Sequence, residues 1–294
     1  MSDIILITTC ANQKHLEIPE SLYFRNTPED ITQSSWDDLI KNTPYPTLKA
    51  IDLYKGALWK QVKSIYESPL LDKLYIISAG YGILKPTDEI KPYSIGFRQD
   101  SFDAVQTRGY SSQEWWDSLK SNINLKEIIE SNPNKKVILY GSNAYMRAIS
   151  NEVKPLLGSP NLFIVSPDTN SKDFNPFLIK PPLKMRYILG GNTVTVTINC
   201  IKYLIENSKD ITWDISSINQ MFLDLCKDCP DPFFTDRKSK EKKPDDFFIN
   251  FIPSLPEYTP TMKMAKIRKL INTSGYAMGT SRLYRILEKI NHKY

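Results

Sequence analysis

The sequence predicts a three-layer α/β domain, in which helices flank a mostly parallel sheet, followed by a small, helical and basic C-terminal module. Four short apolar segments have the composition of core strands, and each ends in small or polar residues: Ile4–Thr9, residues 74–78, Lys136–Tyr140 and Leu162–Val165. Amphipathic patterns typical of helices separate them, at residues 47–67, 113–119 and 144–157. Because strands that alternate with helices need crossover connections, we expect a mostly parallel sheet with the first two segments as interior strands.

The second half of the sequence has a less regular pattern. Residues 190–198 contain alternating threonines and predict a further strand or one arm of an edge hairpin, and residues 199–230 have a helical pattern. A charged run that ends in proline, residues 237–244, predicts a linker or an exposed loop, and two helices are predicted at residues 260–271 and 281–291. We therefore expect an α/β domain over residues 1–205 and a helical C-terminal region over residues 206–294.

Composition limits the classes of protein to consider. The chain has 294 residues, of which 41% are hydrophobic, and it can bury an ordinary core. Its longest apolar runs have the length of strands and are too short to span a membrane. The N-terminus lacks the charged, apolar and cleavage-site segments of a signal peptide. We therefore expect a soluble, cytoplasmic protein with no membrane partner, and the sequence leaves its oligomeric state open.

The four cysteines do not predict a disulfide framework or a metal site. Cys226 and Cys229 form a C-x-x-C motif, but no second pair follows, and the sequence has only two histidines. Structural zinc is almost always bound by four ligands. We therefore interpret the pair as half-buried helix residues, and we predict no metal and no organic cofactor.

Positive charge is concentrated near the C-terminus. The net charge of the chain is +5, which permits a nucleic-acid partner without requiring one. The last forty residues contain eight Lys or Arg against two Glu, a local charge of +6. A basic segment attached to a nearly neutral body predicts a DNA-binding module, and a solvated helix face is the alternative. The candidate phosphate contacts are Lys266, Arg268, Lys269, Arg282 and Arg285.

Polar residues that follow the predicted strands mark a candidate site. The carboxyl ends of parallel strands meet at one edge of a sheet, where open α/β folds bind their ligands. We expect several of the residues at this edge to converge: Asn12, Ser78, Tyr81 and Ser142. The loop that follows residues 74–78 also contains Asp88 and Tyr93, and two glycines flank Tyr81.

These residue types suit a nucleobase site. The amide of Asn12 can pair with a base edge, and the ring of Tyr81 or Tyr93 can stack on a base. Asp88 can polarise a water molecule or stabilise a cationic sugar. Each residue also has a structural alternative: Asn12 can cap a helix, the tyrosines can cover the core, and Asp88 can cap the turn after Pro86.

Several of these segments together resemble the YaaA-like families of bacterial and phage-associated proteins. The resemblance lies in the loop at residues 9–14, the A-I-D-L-Y-K-G run at 50–56, the I-S-A-G-Y-G-I-L run at 77–84, Asp88, and the P-Y pair at 92–93. Ile83 stands where these families usually have leucine. The resemblance covers about residues 4–165 and implies a fold similar to uracil-DNA-glycosylase domains. One branch includes anti-phage DNA glycosylases, which excise glucosylated hydroxymethylcytosine.

The resemblance therefore implies a nucleobase-binding crevice and N-glycosidic hydrolysis. The expected catalytic residues are Asp88, Asn12 and Ser78, and the expected base-binding residues are Cys10, Tyr81, Tyr93 and Ser142. The G-Q-D-P-Y and H-P-S-P-L motifs of uracil-DNA glycosylases are missing, so a glycosylase of this sequence must work without their histidine. The alternatives are a non-catalytic DNA-binding protein and an enzyme that acts on free nucleotides or RNA.

Overall fold

The computed structural model describes residues 3–119, 123–166, 174–230, 243–276 and 278–290. The chain divides into two compact units, Met1–Asp231 and Pro232–Tyr294. The first unit extends beyond the predicted boundary at residue 205. Ile218 and Phe222, which lie after this boundary, are fully buried in the same hydrophobic core as the first strand.

The described strands and helices alternate through most of the first unit. The strands are β1 (Ile4–Thr9), β2 (Gln13–Lys14), β3 (Leu48–Lys49), β4 (Tyr54–Lys55), β5 (Lys73–Ser78), β6 (Gly82–Leu84), β7 (Glu89–Ile90), β8 (Lys136–Tyr140), β9 (Leu162–Val165) and β10 (Leu178–Ile179). The helices are α1 (Gln33–Asn42), α2 (Ala50–Leu53), α3 (Ala57–Tyr66), α4 (Ser112–Ser118), α5 (Leu125–Glu130), α6 (Asn143–Ala148), α7 (Ser150–Val153), α8 (Arg186–Leu189), α9 (Val196–Glu206), α10 (Ile215–Leu225), α11 (Asp245–Phe251), α12 (Met264–Thr273) and α13 (Thr280–Lys289).

A six-stranded, mostly parallel sheet forms the centre of the first unit. Its order is β10-β9-β8-β1-β5-β6, and only β6 runs antiparallel to its neighbour within this sheet. All six residues of β1 are buried, as expected for a parallel strand that is covered on both faces. The α/β class and the four predicted core strands are therefore confirmed. β1 and β5 are interior strands, and β5 pairs in parallel with β1 and antiparallel with β6.

The predicted helix over residues 47–67 is interrupted. α2 ends at Leu53, β4 follows, and α3 begins at Ala57. Gly56 has a φ of +118°, a conformation that side-chain-bearing residues rarely adopt. The predicted helical pattern is confirmed on either side of the interruption, in α2 and α3. In the middle of the predicted helix, residues 54–55 form β4 instead and pair with β2.

The strand predicted at residues 190–198 is wrong. Gly190 and Gly191 both have positive φ, and the side chain of Asn192 accepts hydrogen bonds from the backbone N–H groups of Val194 (2.9 Å) and Thr195 (3.2 Å). This turn leads directly into α9. The helix is buried on most of its circumference, so its apolar residues do not show the one-sided pattern that distinguishes a surface helix from a strand.

The second unit is a small helical bundle with its own core. α11, α12 and α13 contribute to a cluster formed by Phe248, Ile252, Leu255, Met262, Ile267, Ile271, Met278, Leu283, Ile286 and Leu287. The two predicted C-terminal helices are confirmed with shifted ends. Most of the predicted linker lies outside the described residues, and Pro244 precedes the first residue of α11. In the described parts of both units, no helix has the length and apolar content needed to cross a membrane.

Candidate functional site at the carboxyl edge of the sheet

The parallel register brings the ends of β1 and β5 side by side. Thr9 pairs with Ile77, and the Cys10 N–H donates to the Ile77 carbonyl oxygen at 2.9 Å. Cys10 and Ser78 are therefore neighbours across the two strands. Because neighbouring residues of parallel strands project to the same face, the side chains of Cys10 and Ser78 lie in the same environment at the carboxyl edge of the sheet.

The hydroxyl of Tyr93 connects this edge to a buried hydrogen-bond network. It lies 2.6 Å from the Ser78 hydroxyl and 2.8 Å from the Tyr54 hydroxyl, and it donates to Cys10 Sγ at 3.6 Å. The hydroxyl of Tyr145, in α6, lies 3.1 Å from the same sulfur. Cys10 is half-buried, whereas the other groups are buried. Cys10 thus connects the network to the protein surface.

The loop after β5 fits closely around Tyr93. A Cβ atom at Gly80 would lie 2.8 Å from two carbons of the Tyr93 ring, so a larger residue requires the ring to move. Two buried indoles hold this loop: Trp36 donates to the Gly80 carbonyl oxygen at 3.0 Å and Trp115 donates to the Ala79 carbonyl oxygen at 2.8 Å. Close packing against the Tyr93 ring therefore favours glycine at position 80. The hydrogen bonds from the two indoles hold the loop, and with it this contact, in place.

Lys14 reaches the same place from β2. Its backbone pairs with Tyr54 in β4, and its Nζ donates to the carbonyl oxygen of Asn12 at 3.0 Å. The ammonium group lies 4.6 Å from the centre of the Tyr93 ring and 5.8 Å from that of Tyr54. Only 8% of Lys14 is exposed. We refer to Cys10, Lys14, Tyr54, Ser78, Tyr93 and Tyr145 as the carboxyl-edge cluster.

Burial determines the protonation of the cluster. Desolvation lowers the pKa of Lys14 to about 8, although the negative charges that Cys10 and Asp103 can carry act in the opposite direction. Burial raises the pKa of Tyr93 and Tyr54 well above the usual value of 10. The tyrosine hydroxyls therefore remain donors at neutral pH, while Lys14 is mostly charged and can lose its proton easily. The cluster as a whole is rich in donors.

A family of unknown function matches the middle of the chain. Residues 41–158 match a family whose description is "Family of unknown function (DUF6884)". Comparison with curated proteins gave no match. The matched segment contains four members of the cluster, Tyr54, Ser78, Tyr93 and Tyr145, and it begins after Cys10 and Lys14.

The structure brings three predicted site residues together in the cluster: Cys10, Ser78 and Tyr93. Ser78 and Tyr93 are fully buried, so the Tyr93 ring has no free face on which a base can stack. Tyr81 packs edge-on against Tyr93, with ring centres 5.2 Å apart, and its hydroxyl is engaged by the backbone of Lys91. Cys10 is the predicted residue that belongs to the network and is also partly accessible.

Asp88 caps a turn in the loop that follows β6. β6 runs antiparallel to β5 and pairs Leu84 with Ile76, and the backbone carbonyl of Asp88 accepts a hydrogen bond from the Ala50 N–H at 2.8 Å. The Asp88 carboxylate accepts a hydrogen bond from the Lys85 N–H at 2.7 Å, and Asp88 lines a cavity together with Lys73 and Tyr81. The structural alternative of a turn cap therefore describes its observed contacts.

Asn12 and Ser142 are exposed at the carboxyl edge. Ser142 follows β8 and lines a surface cavity of about 570 Å³, together with Arg98, Gln99, Asp100, Asn143, Ala144 and Arg147. Arg98 forms an ion pair with Asp100 at 2.6 Å. Ser142, Asn143 and Ala144 directly precede Tyr145, so the cavity lies beside the cluster. The side chains of Arg98 and Arg147 add two guanidinium groups to its lining.

Sequence reasoning missed a buried carboxylate, Asp103. It accepts hydrogen bonds from the backbone N–H of Arg25 (3.0 Å), from Arg25 Nη1 (3.1 Å) and from the Ser94 hydroxyl (2.7 Å). These contacts join the segment after Tyr93 to residue 25. Sequence reasoning also missed Lys14, although the polar run at residues 9–14, directly after a buried strand, was a signal for it.

The predicted DNA-binding residues of the second unit have different surroundings. Arg282 donates to the Asp245 carboxylate at 2.6 Å and to the Lys243 carbonyl oxygen at 2.6 Å, and it lies over the Phe248 ring. These contacts tie α13 to α11, which is a structural role. The other four predicted residues are exposed: Lys266, Arg268, Lys269 and Arg285. Lys266 lies 3.5 Å from Glu257 in an exposed ion pair.

Proposed function

We propose that this protein is a DNA glycosylase, which excises a modified nucleobase and leaves an abasic site. The observation that supports the proposal is the donor-rich carboxyl-edge cluster, where an amine, a thiol and three tyrosine hydroxyls meet at the end of a parallel sheet. As the modified base we propose glucosylated hydroxymethylcytosine of phage DNA, which would place the protein in anti-phage defence.

The chemistry of base release matches these groups. When the bond between base and sugar breaks, negative charge develops on the base and positive charge on the sugar. The Lys14 ammonium and the Cys10 thiol can stabilise the departing base, because preorganised donors in a desolvated site act strongly on developing charge. The buried tyrosines hold Cys10 in place and add no negative charge of their own, since burial raises the pKa of Tyr93 and Tyr145.

The surroundings of the cluster suit the rest of a nucleic-acid substrate. Arg98 and Arg147 in the neighbouring cavity can contact a phosphodiester, and the exposed amide of Asn12 can pair with the edge of an extruded base.

Extruding a base costs a few kcal/mol. The exposed cations of the second unit can supply sequence-independent affinity for the backbone, which offsets part of this cost.

The test is single-turnover formation of abasic sites on glucosylated hydroxymethylcytosine DNA and on unmodified DNA. We expect release from the modified DNA, and a loss of about 10²-fold in Cys10→Ala, which removes one preorganised group. Asn12→Ala should change the preference between bases. Gln13→Ala, an exposed neighbour, is the matched control and should keep the wild-type rate. Absence of base release from every DNA tested would refute the proposal.

A second candidate function is non-catalytic DNA binding. The observation that favours it is the complete burial of Ser78 and Tyr93, which leaves Cys10 as the accessible end of the network. In that case a gel shift on DNA persists while no base is released. The same assay, repeated with free nucleosides and with RNA, separates both functions from an enzyme that acts on those substrates.

A further inference from the structure

Lys14 is a buried amine with no carboxylate partner. Among the described residues, no carboxylate lies within ion-pair distance of its Nζ, and its hydrogen-bond acceptor is the neutral carbonyl of Asn12. The buried carboxylate of Asp103 is occupied by Arg25 and Ser94. An unpaired ammonium in a desolvated position is unfavourable, so the neutral amine is stabilised relative to its charged form.

The position of Lys14 is fixed by the fold. The pairing of β2 with β4 sets its backbone opposite Tyr54, and the interruption of the helix at Gly56 makes this pairing available. The side chain then extends over the faces of Tyr93 and Tyr54 towards the loop that contains the half-buried Cys10. The amine therefore lies behind the accessible end of the carboxyl-edge cluster.

A desolvated lysine amine is a carbon-directed nucleophile, and enzymes use it to form imines with carbonyl groups. We propose that Lys14 forms a transient imine with the abasic-site aldehyde, so that the protein is a lyase as well as a glycosylase. This inference rests on the proposed function, because base excision produces the abasic site. The substrate class is an aldehyde, the ring-opened deoxyribose of abasic DNA.

The reaction balances without an oxidant or a reductant. The lone pair of the neutral Nζ attacks C1′ of the open sugar, and a proton moves from nitrogen to the former carbonyl oxygen. A second proton, taken from solvent, allows this oxygen to leave as water, and the iminium ion remains. Loss of a C2′ proton to water allows the C–H electron pair to expel the 3′ phosphate, which breaks the strand. Hydrolysis of the imine then frees Lys14.

The rings around Lys14 suit the cationic intermediate. The Tyr93 and Tyr54 rings lie 4.6 Å and 5.8 Å from the amine, within the range in which an aromatic face attracts a cation. An iminium nitrogen at the same position keeps this attraction. The rings therefore offset part of the desolvation of the charged imine, which is the form that loses the C2′ proton.

The experiment uses the full chain and DNA with a preformed abasic site, together with sodium borohydride, which reduces an imine to a stable covalent adduct. We expect a protein–DNA adduct with the wild type, and a loss of more than about 10²-fold in Lys14→Arg, which keeps the charge and removes the nucleophile. Lys55→Arg is the matched control, since Lys55 is the exposed lysine of the same two-stranded sheet. The Lys55→Arg variant should form as much protein–DNA adduct as the wild type.

Peptide mapping of the wild-type adduct makes the test independent of how well the variant folds. An adduct on the peptide that contains Lys14 supports the proposal; an adduct on another lysine, or the absence of an adduct, overturns it. The preformed abasic site separates the two proposals. A wild-type protein that traps this DNA but releases no base refutes the glycosylase alone, and one that releases base without trapping refutes the imine alone.

Discussion

Replacing Lys14 by methionine should change how the stability of the protein depends on pH. Methionine has a similar length and carries no titratable group, so the substitution removes the buried charge and keeps most of the packing. In the folded protein, burial lowers the pKa of Lys14 from 10.5 to about 8. At about 1.4 kcal/mol per pKa unit, the charged form of this lysine lowers the free energy of unfolding by about 3 kcal/mol at pH 7.

The sign of the pH effect follows from proton binding. Below about pH 8, both the folded and the unfolded protein hold the Lys14 proton, and the unfavourable effect of burial is fully present. Between about pH 8 and 10.5, the unfolded chain still binds the proton while the folded protein has released it. The free energy of unfolding therefore rises with pH in this window, relative to a variant that lacks the amine.

Urea denaturation of the wild type and of Lys14→Met at pH 7, 8 and 9.5 measures this difference. We expect the wild type to gain about 2 kcal/mol relative to the variant between pH 7 and 9.5. Lys55→Met is the control, because Lys55 is exposed, and its difference from the wild type should not depend on pH. A constant difference between wild type and Lys14→Met over this range would refute the argument that Lys14 is desolvated.

Three further predictions concern packing, Asp88 and the second unit. Gly80→Ala should lower the free energy of unfolding by about 1–3 kcal/mol, measured by denaturation, because the added methyl group overlaps the Tyr93 ring. Asp88→Ala should lower stability by about 1 kcal/mol through the lost turn bond and leave base release unchanged; a large loss of release would return Asp88 to the mechanism. Arg282→Ala should lower the thermal stability of the second unit. Arg285→Ala should weaken DNA affinity and reduce the slope of log affinity against log salt concentration by about 1, measured in binding curves at several salt concentrations.

The strands could be predicted from the sequence because their burial is nearly continuous. The first four residues of β1 and the last four of β8 are apolar or aromatic, and near-continuous apolar runs of this length are typical of strands in parallel sheets. The interruption at Tyr54–Lys55 could not be predicted in the same way. The apolar spacing before and after it is helical, and the conformation that breaks the helix depends on Gly56 and on a partner strand that is distant in sequence.

The candidate site could be predicted in part for a related reason. The fold class predicts that residues after the parallel strands lie at one edge of the sheet, and the pairing of β1 with β5 makes Cys10 and Ser78 neighbours there. Asp88 was expected to join them because it is close to Ser78 in sequence. In the structure, however, its carboxylate accepts a hydrogen bond from the Lys85 N–H within its own turn. Closeness in sequence did not predict this contact, because a hydrogen bond within the local turn engages the carboxylate.

Cavity size and buried polar groups indicate different candidate sites in this protein. A cavity of about 730 Å³ beside β9 and β10 is larger than the one beside Ser142, and its lining includes Phe163, Phe177 and Trp213. No residue of the carboxyl-edge cluster lines this larger cavity. A core built for stability alone would favour phenylalanine over Tyr93 and an apolar residue over Lys14, because buried polar groups lose their hydration. Unfavourable groups of this kind are concentrated where a protein performs chemistry, which favours the carboxyl edge.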